Sequence, residues 1–283
     1  MGQPLRRAGA VALRPAAALA ALAIACSHPQ PPPSALRASL PPSFALQVVV
    51  PWRGGPQAAR LRLDDAARPY LVTDDTFVPL ARLASGADAR PFRIGGVTAI
   101  ADVAWADGGV LLLVAGRQLA TVDEHGVRPL ADLPAEHMRV VAAGAQRCWL
   151  FAPGAADGRL YLYDRAGTVA EILRAPAAIR AVSGPVERAY AAIDTSIVRV
   201  SPSGGVALVF DGGQPIVALA AAGAGVLFST ATGTFFLSER NAVTRLMSAG
   251  ASAIEVRGDA VFLLLDGLGI VRGAPVSAFA APR

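Results

Sequence analysis

Six times between residues 70 and 265 the chain returns to the same kind of apolar, β-rich run: "YLV" at Tyr70, "VLLLV" at Val110, "CWLF" at Cys148, "AYAAI" at Ala189, "VLFST" at Val226 and "VFLLL" at Val261. The spacings are 40, 38, 41, 37 and 35 residues. A period in this range belongs to repeat architectures, in which each unit buries its apolar surface against its neighbours. The flanks choose among them. A short apolar segment precedes each run, as in "TAIADVAW", "MRVVAAG", "AIRAVSG", "IVALAAAG" and "AIEVRG". Four of the runs lead into two alternating segments joined by a polar or glycine turn, at residues 123–126, 164–167, 201–205 and 238–241. Alternation of period two with such turns is hairpin chemistry. Four short antiparallel strands in about 40 residues make one propeller blade. A helical repeat would need sustained apolar spacings of three and four, and these are missing.

Six runs predict an all-β, six-bladed β-propeller over residues 44–283. The last unit, beginning "AIEVRGDAVFLLLDGLGIVRG", holds only three strands, while "FALQVVV" at residues 44–50 has no unit of its own. The expectation is that this N-terminal strand becomes the outermost strand of the last blade, because an open ring would leave two unpaired strand edges. In pattern, residues 44–273 resemble β-propellers in general, and "GVLFSTATGTFFLSERNAVTRL" is similar to the blades of NHL-type or two-component-regulator propellers. That likeness brings no catalytic residue with it. The Gly-His and Trp-Asp pair of WD40 repeats, the kelch double glycine and the tryptophan docking motif of quinoprotein-like propellers do not recur.

Ahead of the repeats, Arg6, Arg7 and Arg14 without any acid precede an apolar run over residues 16–25, followed by Cys26. This is the layout of a secretory signal peptide. The run is too short to span a bilayer, which takes roughly 20 residues. The segment Ala23-Ile24-Ala25-Cys26 resembles the lipobox of bacterial lipoproteins, with Ala23 where that family usually has Leu. The resemblance implies removal of residues 1–25, lipidation of Cys26 as the new N-terminus and, with Ser27 following, an outer-membrane address in the cell envelope. The other reading is an ordinary A-x-A cleavage site and a soluble secreted or periplasmic protein. Residues 26–43 then form a linker. Its prolines, in "PQPPPSALRASLPP", favour a semi-rigid polyproline spacer reaching up to ~40 Å.

Removing residues 1–25 takes away three arginines and no acid, which lowers the formal charge from +5 to +2. All 26 basic residues are arginine, spread singly along the chain. Nucleic acid is bound through clustered basic patches, so no nucleic-acid partner is expected. With Cys26 acylated, Cys148 has no disulfide partner and, within "CWLF", reads as a buried small hydrophobe.

Little in the chain speaks of catalysis. His28, His125 and His137 share no ligand spacing, no G-x-S-x-G elbow exists, and "RGD" at residues 257–259 sits where a tight turn is needed. No catalytic residue and no metal-ligand set is therefore assigned. Trp105 and Trp149 lie in apolar strand context and read as core. In a propeller the loops between second and third strands, and those between blades, open on one face. On this chain they carry Asp74, Asp75, Asp157, Asp194, Asp211 and Asp266, with Trp52, Arg53 and Glu136 at blade borders. Asp is a common turn residue in its own right, and a ring of carboxylates could also hold a calcium ion. Two functions follow: a cell-envelope binding or scaffold module that meets a protein or envelope polymer through Trp52, Arg53, Asp74, Asp75, Asp194, Asp211 and Asp266, or a metal-assisted hydrolase of lactonase or esterase type with its site in the central pocket. Acids converging on the axis favour the second, and acids scattered around the rim favour the first.

Overall fold

Three hairpin turns inside the repeats share one chemistry. At residues 164–168, 201–205 and 238–242 the first residue donates its backbone N–H to the carbonyl of the fifth, while its own side-chain oxygen accepts from the fifth residue's N–H. Asp164, Ser201 and Ser238 supply that oxygen. The fourth residue has positive φ and is Gly167, Gly204 or Asn241, residue types that accept the left-handed region. A short polar side chain followed by Gly or Asn thus sets each hairpin and its register.

The computed structural model describes the backbone of residues 47–50 and residues 60–73, 76–80, 94, 97 and 99–279, except 146, 155, 165 and 224. Among them are 23 strands in six antiparallel sheets. Blade 1 comprises β2 (Arg60–Leu63), β3 (Pro69–Val72) and β4 (Phe77–Pro79). Blade 2 runs from β5 (Ile100–Trp105) through β6 (Leu111–Ala115) and β7 (Gln118–Asp123) to β8 (Gly126–Asp132). Blade 3 is β9 (Arg139–Ala142), β10 (Cys148–Phe151), β11 (Gly158–Tyr163) and β12 (Val169–Ala175). Blade 4 is β13 (Ile179–Ser183), β14 (Ala189–Ile193), β15 (Ser196–Val200) and β16 (Val206–Asp211). Blade 5 is β17 (Ile216–Ala222), β18 (Gly225–Thr230), β19 (Gly233–Ser238) and β20 (Val243–Met247).

Blade 6 closes the ring. It joins β21 (Ala251–Arg257), β22 (Ala260–Leu265) and β23 (Gly269–Arg272) to β1 (Gln47–Val50), which pairs antiparallel with β23 through Gln47 opposite Arg272 and Val48 opposite Val271. The N-terminal strand completes the last blade, as the leftover strand in the sequence requires. "RGD" is the turn between β21 and β22, with Gly258 at φ +57°. Asp259 takes the backbone N–H and hydroxyl of Ser277, fixing the one-turn helix Val276–Phe279.

The core is a ring of interfaces. Among the described residues six apolar clusters stand out, and each lies between two neighbouring blades. Leu61, Leu71 and Leu80 of blade 1 meet Phe262 and Ile270 of blade 6. Trp149 and Leu160 of blade 3 meet Ile179 and Val198 of blade 4. Cys148 and Leu150 face the other way, toward Leu112 and Leu119 of blade 2. Alternate residues of each strand therefore serve opposite interfaces, which is why the runs read as continuously apolar. Side-chain to backbone bonds add to the packing. The Ala221 N–H donates to Ser183 Oγ between blades 4 and 5, and the Ala251 N–H donates to buried Ser229 Oγ between blades 5 and 6.

Since β1 covers the edge of β23, a chain cut before residue 51 should melt about 5–10 °C below one cut before residue 44, on the usual scale of a few degrees per kcal/mol for a domain of this size. Calorimetry of the two truncations checks this, and equal melting temperatures would contradict the closure.

Candidate functional site

Each complete blade has four antiparallel strands, so the inner strands β2, β5, β9, β13, β17 and β21 all start from one face. That face also carries the loops between second and third strands. The inner strands surround an axial channel of about 740 Å3. Six arginines line it, Arg60, Arg62, Arg139, Arg180, Arg188 and Arg257, with Glu255 as the single carboxylate among the lining residues.

At the hub sits Arg62, with every donor used. Its Nε donates to the Val103 carbonyl at 2.9 Å, and its Nη1 to the Leu61 carbonyl at 2.9 Å and to Glu255 Oε1 at 2.6 Å. Its Nη2 reaches both oxygens of Asp102 at 2.8 Å. Asp102 is fully buried, and its Oδ2 also accepts the N–H of Val140 at 3.1 Å. Blades 6, 1, 2 and 3 are thereby tied to one guanidinium. Burial opposes the charge on Arg62, but Asp102 and Glu255 outweigh it and hold its pKa above the ordinary value. Burial pushes the Glu255 carboxyl up, against the pull of Arg62. At the far end Arg257 crosses to the Trp105 carbonyl at 3.0 Å, and Arg188 pairs with Glu239. Trp105 lines that end and packs against Tyr70, ring centres 5.0 Å apart.

The loop face is arranged otherwise. Asp194 has φ +49° in the two-residue turn between β14 and β15, a conformation that Asp tolerates. Its neighbour Thr195 donates to Asp211 Oδ1 at 2.9 Å, so Asp194 and Asp211 share one corner of blade 4. Asp266 is exposed in the β22–β23 turn of blade 6. Asp157 pairs with Arg159 in blade 3. None of these acids lines the channel. Among the described residues no three potential metal ligands gather, so Asp194, Asp211 and Asp266 do not make a calcium site together. Trp52, Arg53, Asp74, Asp75 and Cys26 lie outside the described residues.

Cys148 and Trp149 are fully buried, as core residues should be. Burial pushes the Cys148 thiol far up and leaves it inert. The channel is what the sequence reading missed. Arginines spread singly along the chain are brought together because five of them fall on the inner strands of blades 1, 3, 4 and 6, while Arg188 sits in the turn that follows β13. The available signal was a charged residue inside a short apolar segment: "RLRL", "MRVV", "AIRAVS" and "AIEVRG".

These features define a six-bladed β-propeller with an arginine-lined axis. No protein-family model and no curated protein matches the sequence. Its structure is similar to virginiamycin B lyase from Staphylococcus aureus, at TM-score 0.58 and 13% identity over 80% of this chain and 83% of that one. It is similar also to a gluconolactonase from Xanthomonas campestris, at TM-score 0.58 and 10% identity over 88% and 95%. The calcium-binding protein regucalcin from Agrobacterium tumefaciens gives TM-score 0.60 and 11% identity over 77% and 92%. At such identities the likeness is one of fold.

Removing one partner from a buried ion cluster leaves an uncompensated charge, so Asp102→Ala should cost about 3–5 kcal/mol in denaturant unfolding. Glu255 carries a pH signature of the opposite sign from an ordinary paired acid. With its folded pKa raised, the folded chain binds the proton more tightly, and the stability this contributes is lost as pH rises through that value. Thermal melts of Glu255→Gln should therefore gain on the wild type as pH rises above the ordinary carboxylate range. A variant that loses ground as pH rises would reverse the sign.

Proposed function

We propose that the protein is a binding module of the cell envelope, a rigid propeller that engages a protein or envelope polymer through its loop face. In this reading Cys26 is the acylated N-terminus, residues 26–43 are the tether, and the surface includes Trp52, Arg53, Asp74, Asp75, Asp194, Asp211 and Asp266. One observation carries the choice of binding over hydrolysis. The described acids of the loop face stand apart on the rim, in blades 3, 4 and 6, instead of meeting on the axis. A metal-assisted hydrolase needs a convergent set of oxygen or nitrogen ligands. The leader supports the anchor through its lipobox-like segment, and the proline spacer suits a domain held clear of lipid headgroups. Structural neighbours include both enzymes and a binding protein, so the fold by itself favours neither function.

Two measurements test the reading. Cys26→Ser should move the protein from the membrane fraction to the soluble one, and unmodified Cys26 in membrane-purified protein would remove the anchor. The double variant Trp52→Ala, Arg53→Ala should weaken partner recovery from solubilised envelope by about 2 kcal/mol, roughly 30-fold, with the melting temperature unchanged. Metal-dependent lactone hydrolysis by the purified protein, lost in Asp194→Ala or Asp266→Ala, would overturn the binding reading.

A further inference from the structure

The arginines of the channel divide into two groups. Arg62 is saturated at the hub, Arg60 reaches the Ile100 carbonyl at 3.5 Å, Arg257 is spent on the Trp105 carbonyl, and Arg188 is spent on Glu239. Arg180 makes no hydrogen bond or ion pair among the described residues, and it is exposed at the mouth. Arg139 makes no hydrogen bond there either. The carboxylate nearest to it, Asp102, is 4.0 Å away and already bound by Arg62 and the Val140 N–H.

Backbone geometry places these two side chains. Arg139 is the first residue of β9, and Arg180 is the second of β13, both at the face from which the inner strands start. The pairing of β13 with β14 shifts between Ile179 and Ala181, so Arg180 is the extra residue of a β-bulge. The same shift occurs at the second position of β5, β17 and β21: Ala101 is buried between blades 2 and 3, while Val217 and Ser252 line the channel. A bulge is one means by which a strand re-aims a side chain. In blades 4, 5 and 6 the second residue of the inner strand lines the channel, and in blade 4 that residue is an exposed arginine.

We propose that the mouth of the channel is a binding site for a small organic anion carrying carboxylate or phosphate groups, held by the guanidinium groups of Arg180 and Arg139. Each presents a planar fork of donors that matches the oxygens of either group. A cavity of about 740 Å3 has the volume of a small-molecule site. Val217 offers an exposed apolar wall beside the arginines, which suits a ligand with a carbon framework. The excess of arginine over the single glutamate favours anions over neutral or cationic molecules. This site is separate from the rim acids and does not rest on a partner for the loop face.

Isothermal titration calorimetry on the full chain tests it, with citrate as carboxylate probe, inorganic pyrophosphate as phosphate probe and glucose as neutral control. Citrate or pyrophosphate should bind saturably at one per chain, glucose should not bind, and the stronger of the two anions identifies the group preferred. Arg180→Gln and Arg139→Gln should each weaken that binding about ten-fold or more. Arg128→Gln, on the exposed outer strand β8, should leave it unchanged. Arg180 is exposed and unbonded, so its variant should keep the wild-type melting temperature and test the site even if Arg139→Gln perturbs folding. Absence of saturable binding by both anions, or equal binding by wild type and Arg180→Gln, would overturn the proposal.

Discussion

Among the described residues no blade of this protein has a core of its own. Its strands bury one set of side chains against the preceding blade and the alternate set against the following one, and the six apolar clusters all lie at these borders. The fold therefore depends on closure of the ring. If the last border opened, Leu61, Leu71 and Leu80 of blade 1 and Phe262 and Ile270 of blade 6 would return to water. Burial of a large aliphatic or aromatic side chain is worth about 1.5–3 kcal/mol, so several such losses at once rival the net stability of a whole domain. Pairing of β1 with β23 joins sequence-distant strands at this border, and it also covers an edge open to another chain.

The same closure explains how a charged hub can exist. Inner strands crowd around the axis, where a short side chain would leave a void and an unpaired charge would be costly. Arg62 is long enough to reach the strands on either side, and its five donors meet two carboxylates and two carbonyls. Whether such a cluster stabilises relative to an apolar hub is a separate matter, since buried ion pairs often only break even. What it does is fix position: β2, β5, β9 and β21 must all be in register for the bonds to form.

Beyond the hub, the two faces of the ring differ in chemistry. At the far end Arg257 and Arg188 are bonded to their acceptors, with Trp105 beside them. The mouth keeps arginines with unspent donors, while acids stand outside it on the rim. On this face Asp157, Asp194, Asp211 and Asp266 stand outside the channel, while Arg180 and Arg139 line it.

By itself the sequence determined the repeat, the strand character of each unit and the hairpin turns, because these rest on local spacing and on residue types such as Asp164, Gly167, Ser201 and Asn241 that act within five residues. It also determined the closing strand, since "FALQVVV" was left over where the last unit lacked a strand. It placed Asp194, Asp211 and Asp266 on loops but not relative to one another. Only the tertiary structure decided that Arg62, Asp102 and Glu255 meet, for they are 40 and 193 residues apart from Arg62 and come together only when the ring is shut. It alone decided that Arg180 faces the axis, because a β-bulge shifts the inward and outward alternation by one residue. Period two in a sequence cannot register that shift, since its cause lies in pairing with another strand and in the crowding of six strands at one axis.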